Sequence, residues 1–258
     1  MEWAYTFSGL VVGFVVGLTG VGAGALMTPL LILVFGIPPA VAVGTDLLYA
    51  SITKSAGACV HYRRGNIKWS VVCWLAAGSI PAAILTMLGV KALGVDSRHF
   101  SALVTTALGG TVILTSLALV FKGRLRFSRA RGIHAGILSE RFRIPATLAT
   151  GAALGALVTL TSVGAGALGM IALFALYPQI PIAKLVGSDI AHAVPLTLAA
   201  GLGHAALGNV DYQILISLLA GSLPGIYLGS HAADRVPEAI LRNVLAAVLF
   251  LAGGKLIW

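Results

Sequence analysis

Charge is the scarce commodity in this sequence. Only 10% of its 258 residues are charged, and acidic residues number 8 against 17 lysines and arginines. A soluble domain needs roughly 25% charged residues to keep its surface in water, so a soluble fold of this length is excluded. Cysteine is nearly absent as well. Cys59 and Cys73 lie in apolar segments without metal-ligand spacing and read as small packed hydrophobes. No nucleophile elbow, His-Glu-x-x-His pair or Walker loop occurs, which argues against an enzyme or an ATP-driven pump and gives no reason to expect a cofactor or metal. A basic n-region is missing too: the chain opens Met1-Glu2-Trp3, so its first apolar run is not read as a cleaved signal peptide.

What remains is overwhelmingly apolar. Hydrophobic residues make up 58% of the chain and glycines number 32, and glycine is more frequent in membrane helices than in soluble ones. Apolar stretches of helical length run over 3–17, 25–36, 41–62, 69–90 and 99–121, and again over 145–160, 167–177, 183–204, 212–232 and 238–257. Spans near 20 residues suit a hydrocarbon core of about 30 Å. The first two stretches of each set fall short of that and meet at a glycine-rich break. The basic residues cluster between Lys122 and Arg143 and at Arg63, Arg64 and Lys68, flanking apolar segments. That placement points to cytoplasmic loops and a lipid bilayer rather than to nucleic acid.

The two sets of stretches are copies. Leu18-Thr19-Gly20-Val21-Gly22-Ala23-Gly24-Ala25-Leu26 recurs as Leu160-Thr161-Ser162-Val163-Gly164-Ala165-Gly166-Ala167-Leu168, an offset of 142 residues (18 to 160). Val43-Gly44-Thr45-Asp46 recurs as Val186-Gly187-Ser188-Asp189, an offset of 143 (43 to 186). The second offset then holds for His61 with His204 and for Gly78-Ser79-Ile80-Pro81 with Gly221-Ser222-Leu223-Pro224. The sequence therefore predicts an all-α polytopic membrane protein. Its first repeat is 1–121, a basic cytoplasmic loop is 122–144, and its second repeat is 145–258. Each repeat combines a Gly-broken short helix pair with three transmembrane helices. If each short pair folds back, the halves are inverted, an arrangement that puts more basic residues inside than the parallel alternative. Many secondary transporters are built so, with a site between the repeats.

Three groups of residues bear on chemistry. The breaks come first, Thr19, Gly20, Gly22 and Gly24 in one half and Thr161, Ser162, Gly164 and Gly166 in the other. Clustered glycines interrupt a helix, and the helix restarting after each break aims unpaired N–H groups and its dipole at the break, a setting for an anion. The intramembrane ionisable residues Asp46, Asp189 and Lys54, with Thr45 and Ser188 beside the aspartates, form the second group. Charge at such depth is costly and usually functional. The aspartates are expected to cap amides of the breaks or to couple a proton or sodium ion. Lys54, whose counterpart is Thr197, either faces the anion path or pairs with Asp46. The third group is structural: Gly9, Gly13 and Gly17 at four-residue spacing suit close helix packing, and Pro81 and Pro224 are expected to kink their helices.

The Gly-x-x-x-Gly-x-x-x-Gly-Leu-Thr-Gly-Val-Gly-Ala-Gly run from Gly9 to Gly24, Pro29-Leu30-Leu31, Val43-Gly44-Thr45-Asp46 and Gly221-Ser222-Leu223-Pro224-Gly225 together resemble the sulfite exporter TauE/SafE family, also called toluene sulfonate uptake permeases. The resemblance covers nearly the whole chain. It implies a prokaryotic inner-membrane permease for a small sulfur-containing anion, such as sulfite or an organosulfonate. One departure is Ser162 at the position of Gly20, so the two half-sites differ. An anion channel or a non-transporting membrane scaffold are the alternative readings. Coupling ion, direction and oligomeric state stay open at this level.

Overall fold

The computed structural model describes residues 2–19, 24–92, 97–130, 140–232 and 238–258. Among them are ten helices and no strand. They are α1 (Glu2–Thr19), α2 (Gly24–Leu33), α3 (Pro39–Arg63), α4 (Trp69–Ala92), α5 (Ser97–Ala130), α6 (Glu140–Thr161), α7 (Ala167–Leu176), α8 (Ile182–Ala206), α9 (Tyr212–Ala232) and α10 (Glu238–Ile257). Six of these, α4, α5, α6, α8, α9 and α10, are long and apolar enough to cross a membrane. Their outward faces carry large bare side chains such as Leu85, Ile216 and Leu251, a surface that water does not tolerate and lipid does.

Two boundaries differ from the sequence reading. The stretch 122–144, expected as a loop, is helical at both ends, because α5 continues to Ala130 and α6 begins at Glu140. Lys, Arg and Leu are good helix formers, so a helix can leave an apolar zone without a break that hydropathy would register. In consequence α6 is 22 residues long, and the first helix of the second half is not the short element expected. Pro145 lies inside it instead of marking its start, as Pro81 and Pro224 lie inside α4 and α9.

The packing pairs equivalent elements of the two halves. α1 lies along α9, and its counterpart α6 lies along α4; α3 packs on α8 and α5 on α10. Directions follow from residue contacts. Gly9, Gly13 and Gly17 meet Leu218, Ser222 and Ile226 in ascending order, so α1 and α9 are parallel. Gly151 and Gly155 meet Leu75 and Ser79 likewise, so α6 and α4 are parallel. By contrast Gly44 meets His204 and Gly57 meets Ile190, so α3 and α8 run antiparallel. α2 turns back along α3, with Thr28 at Asp46, and α7 turns back along α8, with Gly169 at Asp189. The helices can approach this closely because glycine backbones face backbone across each seam.

Candidate anion cavity and the carboxylate cluster beside it

The second break is an interruption of the helix in the way the glycines require. α6 ends at Thr161, Ser162 takes φ 58°, Gly164 φ 123° and Gly166 φ 129°, and α7 starts at Ala167. Left-handed backbone at Gly164 and Gly166 costs little without a Cβ. Ser162 is the one non-glycine at positive φ among the described residues, and the first half has Gly20 at that position. Thr161 holds the break together: its Oγ1 donates to the Leu157 carbonyl at 2.7 Å and accepts the Val163 N–H at 3.2 Å. Its hydroxyl proton is thus directed into the chain. Beyond the break, the Gly169 N–H finds the Gly164 carbonyl at 3.1 Å and the Met170 N–H the Gly166 carbonyl at 3.3 Å. The Ala167 and Leu168 N–H groups, first in α7, have no such acceptor among the described residues.

This helix start opens on a cavity of about 520 Å³, whose walls include Lys54, Asp189, Ala165, Gly166, Ala167 and Tyr227. The volume lies within the range of small-ligand sites, about 300–1,000 Å³. Lys54 reaches across from α3 and donates from Nζ to the Ala165 carbonyl at 3.1 Å. Its charge is felt by Asp46 and Asp189 alike. The lysine therefore faces the cavity and is tied to the break of the opposite half. An anion entering here meets an ammonium group and the positive end of α7, with the Asp189 carboxylate opposing it on one wall.

Asp46 occupies a separate spot. Thr28 Oγ1 donates to Asp46 Oδ2, and Gly24, the first residue of α2, lies against both Asp46 and Ser162. Ser162 Oγ faces Asp46 without a hydrogen bond of regular geometry. Each aspartate thus sits at the first turn of the short helix in its own half, Asp46 by Gly24 and Asp189 by Gly169. Thr45 and Ser188 point elsewhere. Thr45 Oγ1 accepts the Asp211 N–H at 3.0 Å and Ser188 Oγ the Lys68 N–H at 2.8 Å. Both fasten the start of a helix in the other half rather than line the cavity. Thr19 Oγ1 donates to the Val15 carbonyl at 2.8 Å; Gly20 and Gly22 lie outside the described residues.

Sequence reasoning missed Thr28 and the buried pair Ser79–His192, whose Oγ and Nε2 lie 2.8 Å apart. The repeat itself carried the signal for the pair: His192 falls at Tyr49 and Ser79 at Ser222, and Tyr49 faces Ser222 across the equivalent contact. Thr28 had no such signal, because its counterpart is Met170.

Paired helix bundles with an apolar outer surface and an internal cavity holding one lysine define a polytopic membrane protein. The chain belongs to the sulfite exporter TauE/SafE family, whose family model matches residues 5–256. It is similar to the probable membrane transporter protein YjnA of Bacillus subtilis (strain 168), at 39% identity over all of both chains. YdhB of the same organism, likewise a probable membrane transporter protein, is 28% identical over 93% of this chain and 94% of its own. A probable membrane transporter protein of Xylella fastidiosa (strain Temecula1) is 27% identical over 97% and 93%. No solved structure matches the chain. The protein is accordingly a multi-pass membrane transporter.

Proposed function

We propose that the chain is a secondary permease of the prokaryotic inner membrane for a small sulfur-containing oxyanion, sulfite or a short organosulfonate. The anion binds in the cavity between Lys54 and the start of α7. Lys54 supplies the charge, and the Ala167 and Leu168 amides supply donors that stand in for water. The observation that carries this reading is the single buried cation held on the break of the opposite half. An intramembrane lysine without a function would be a pure cost. The antiparallel run of α3 and α8 supports inverted repeats, with the halves rocking about the cavity and the fold-back pairs α1–α2 and α6–α7 at its two sides.

Binding of sulfite and of short sulfonates to purified protein, by thermal shift and then by proteoliposome flux, tests the assignment. A hydrogen bond to a charged group is worth about 1.5–3 kcal/mol, so Lys54→Met should weaken the anion by ~10- to 100-fold. Thr197→Ala, at the equivalent position of the other half, should leave affinity unchanged. Wild-type affinity in Lys54→Met would remove the site.

A further inference from the structure

The cluster around Asp46 has a geometry of its own. A point one bond out from the Gly24 Cα, where a Cβ would stand, is 3.2 Å from Asp46 Oδ2 and 3.2 Å from Ser162 Oγ, and closer still to the Ser162 carbonyl oxygen. Three oxygens, one of them on a carboxylate, converge there, and Thr28 Oγ1 adjoins as a fourth. Asp46 is fully buried and Ser162 is 4% exposed. Asp46 Oδ1 and Ser162 Oγ have no hydrogen-bond partner among the described residues. A buried carboxylate with an idle oxygen is costly unless something positive compensates it.

We propose that Asp46, Thr28 and Ser162 form a binding site for one hard monovalent cation of the sodium class, at the contact between the two halves. Carboxylate, hydroxyl and carbonyl oxygens are the ligands that hard cations take, and carbonyls of an unwound membrane segment serve such ions. The charge of the site selects a monovalent ion. One carboxylate is present, and Lys54, on the same helix, already lends it positive charge. The other polar group of α3 near Asp46 is the Tyr49 hydroxyl; Thr28 comes from α2 and Ser162 from the second half. Thr28 and Ser162 correspond to Met170 and Gly20 in the repeat, so the equivalent position around Asp189 has neither hydroxyl and the site is single. Because both halves contribute oxygens, a bound cation favours the arrangement in which they touch. The site stands without the anion assignment. If both are occupied, each ligand changes the other's affinity by the same factor.

The test uses the purified full chain in choline buffer without any sulfur anion, titrated with NaCl at constant ionic strength. The expected result is a saturable rise in melting temperature with Na⁺. Asp46→Asn and Ser162→Gly should each raise the half-saturating Na⁺ concentration by about tenfold or more, since loss of even an outer-shell partner costs ~10- to 100-fold in metal affinity. Ser162→Gly should fold, because it relieves a positive φ and restores the residue found at Gly20. Absence of a Na⁺ response in the wild type would overturn the proposal. Wild-type half-saturation in both variants would do the same, as would stabilisation that follows pH and ignores Na⁺. Sulfite titration of Lys54→Met, run separately in choline, tests the anion cavity alone. A lost anion response with the Na⁺ response intact leaves the cation site standing.

Discussion

Replacing Gly13 by alanine tests the packing on which the architecture rests. At the α1–α9 crossing, a Cβ on Gly13 would stand 2.7 Å from the Ser222 Cα and 3.0 Å from its carbonyl carbon. Carbon atoms prefer about 3.5–4.0 Å, so the helices must part by roughly 1 Å, and backbone cannot rotate aside as a side chain can. Overpacking of this kind costs about 1–3 kcal/mol. Alanine's better helix propensity returns about 1 kcal/mol, leaving a net loss of about 1–2 kcal/mol on those two figures. In a chain of this size that lowers the melting temperature by about 2–8 °C. Gly155→Ala, the equivalent substitution against Ser79 on the α4–α6 seam, should lose a similar amount, since a Cβ there would stand 2.8 Å from the Ser79 Cα. Gly110→Ala is the control: Gly110 lies within α5 with nothing within 4 Å of the added carbon, and the propensity gain stands alone, so stability should rise. Thermal unfolding in detergent, read as the monodisperse fraction remaining after heating, measures all three. Equal shifts for Gly13→Ala and Gly110→Ala would refute the argument that these seams are backbone-on-backbone.

Thr45→Val and Ser188→Ala should each destabilise by about 1–3 kcal/mol, because the Asp211 and Lys68 amides lose their acceptors; an unchanged melting temperature in both would deny the two hydroxyls their fastening role. The antiparallel course of α3 and α8 predicts opposite sides for their C-terminal ends. With Cys59 and Cys73 replaced, Arg64→Cys should react with a membrane-impermeant maleimide from the cytoplasmic face and Ala206→Cys from the other. Labelling of both from one face would mean that the halves are parallel.

Most of the fold was legible because the bilayer leaves few choices. Apolar runs had to be helices, and the constant offset between polar residues fixed two copies. The glycines at four-residue spacing announced α1 as a close-packed helix, and its partner α9 carries Gly221, Gly225 and Gly229 facing it. The ends of α5 and α6 were not legible. A helix that leaves the apolar zone keeps its propensity but loses the hydropathy that marks it, and Pro145 looked like a start while sitting inside α6. Of the site, the second break and its φ > 0 glycines could be read directly. The partners of the ionisable residues could not, because they arise where elements far apart in sequence cross. Lys54 and Ala165 are separated by 111 residues, and no local pattern records that distance.

Comparison of the two copies separates scaffold from site on physical grounds. A structural need imposed by the pseudo-twofold packing occurs twice, so its residues come in pairs: Gly13 with Gly155 at the seams, Thr45 with Ser188 at the helix starts, Tyr49–Ser222 with His192–Ser79 between the long helices. A ligand with one charge and one orientation imposes a need that occurs once. Lys54 against Thr197, Thr28 against Met170 and Ser162 against Gly20 are departures of that second kind, and all three converge on the breaks or on the aspartate beside them. Restoring symmetry at those positions should therefore cost transport while leaving the fold, whereas breaking it at the paired positions should cost the fold first. Lys54→Thr and Ser162→Gly, set beside Gly13→Ala and Thr45→Val in one panel of flux and melting temperature, would display that division. A panel in which the two sets behave alike would show that the unpaired residues are only drift between copies.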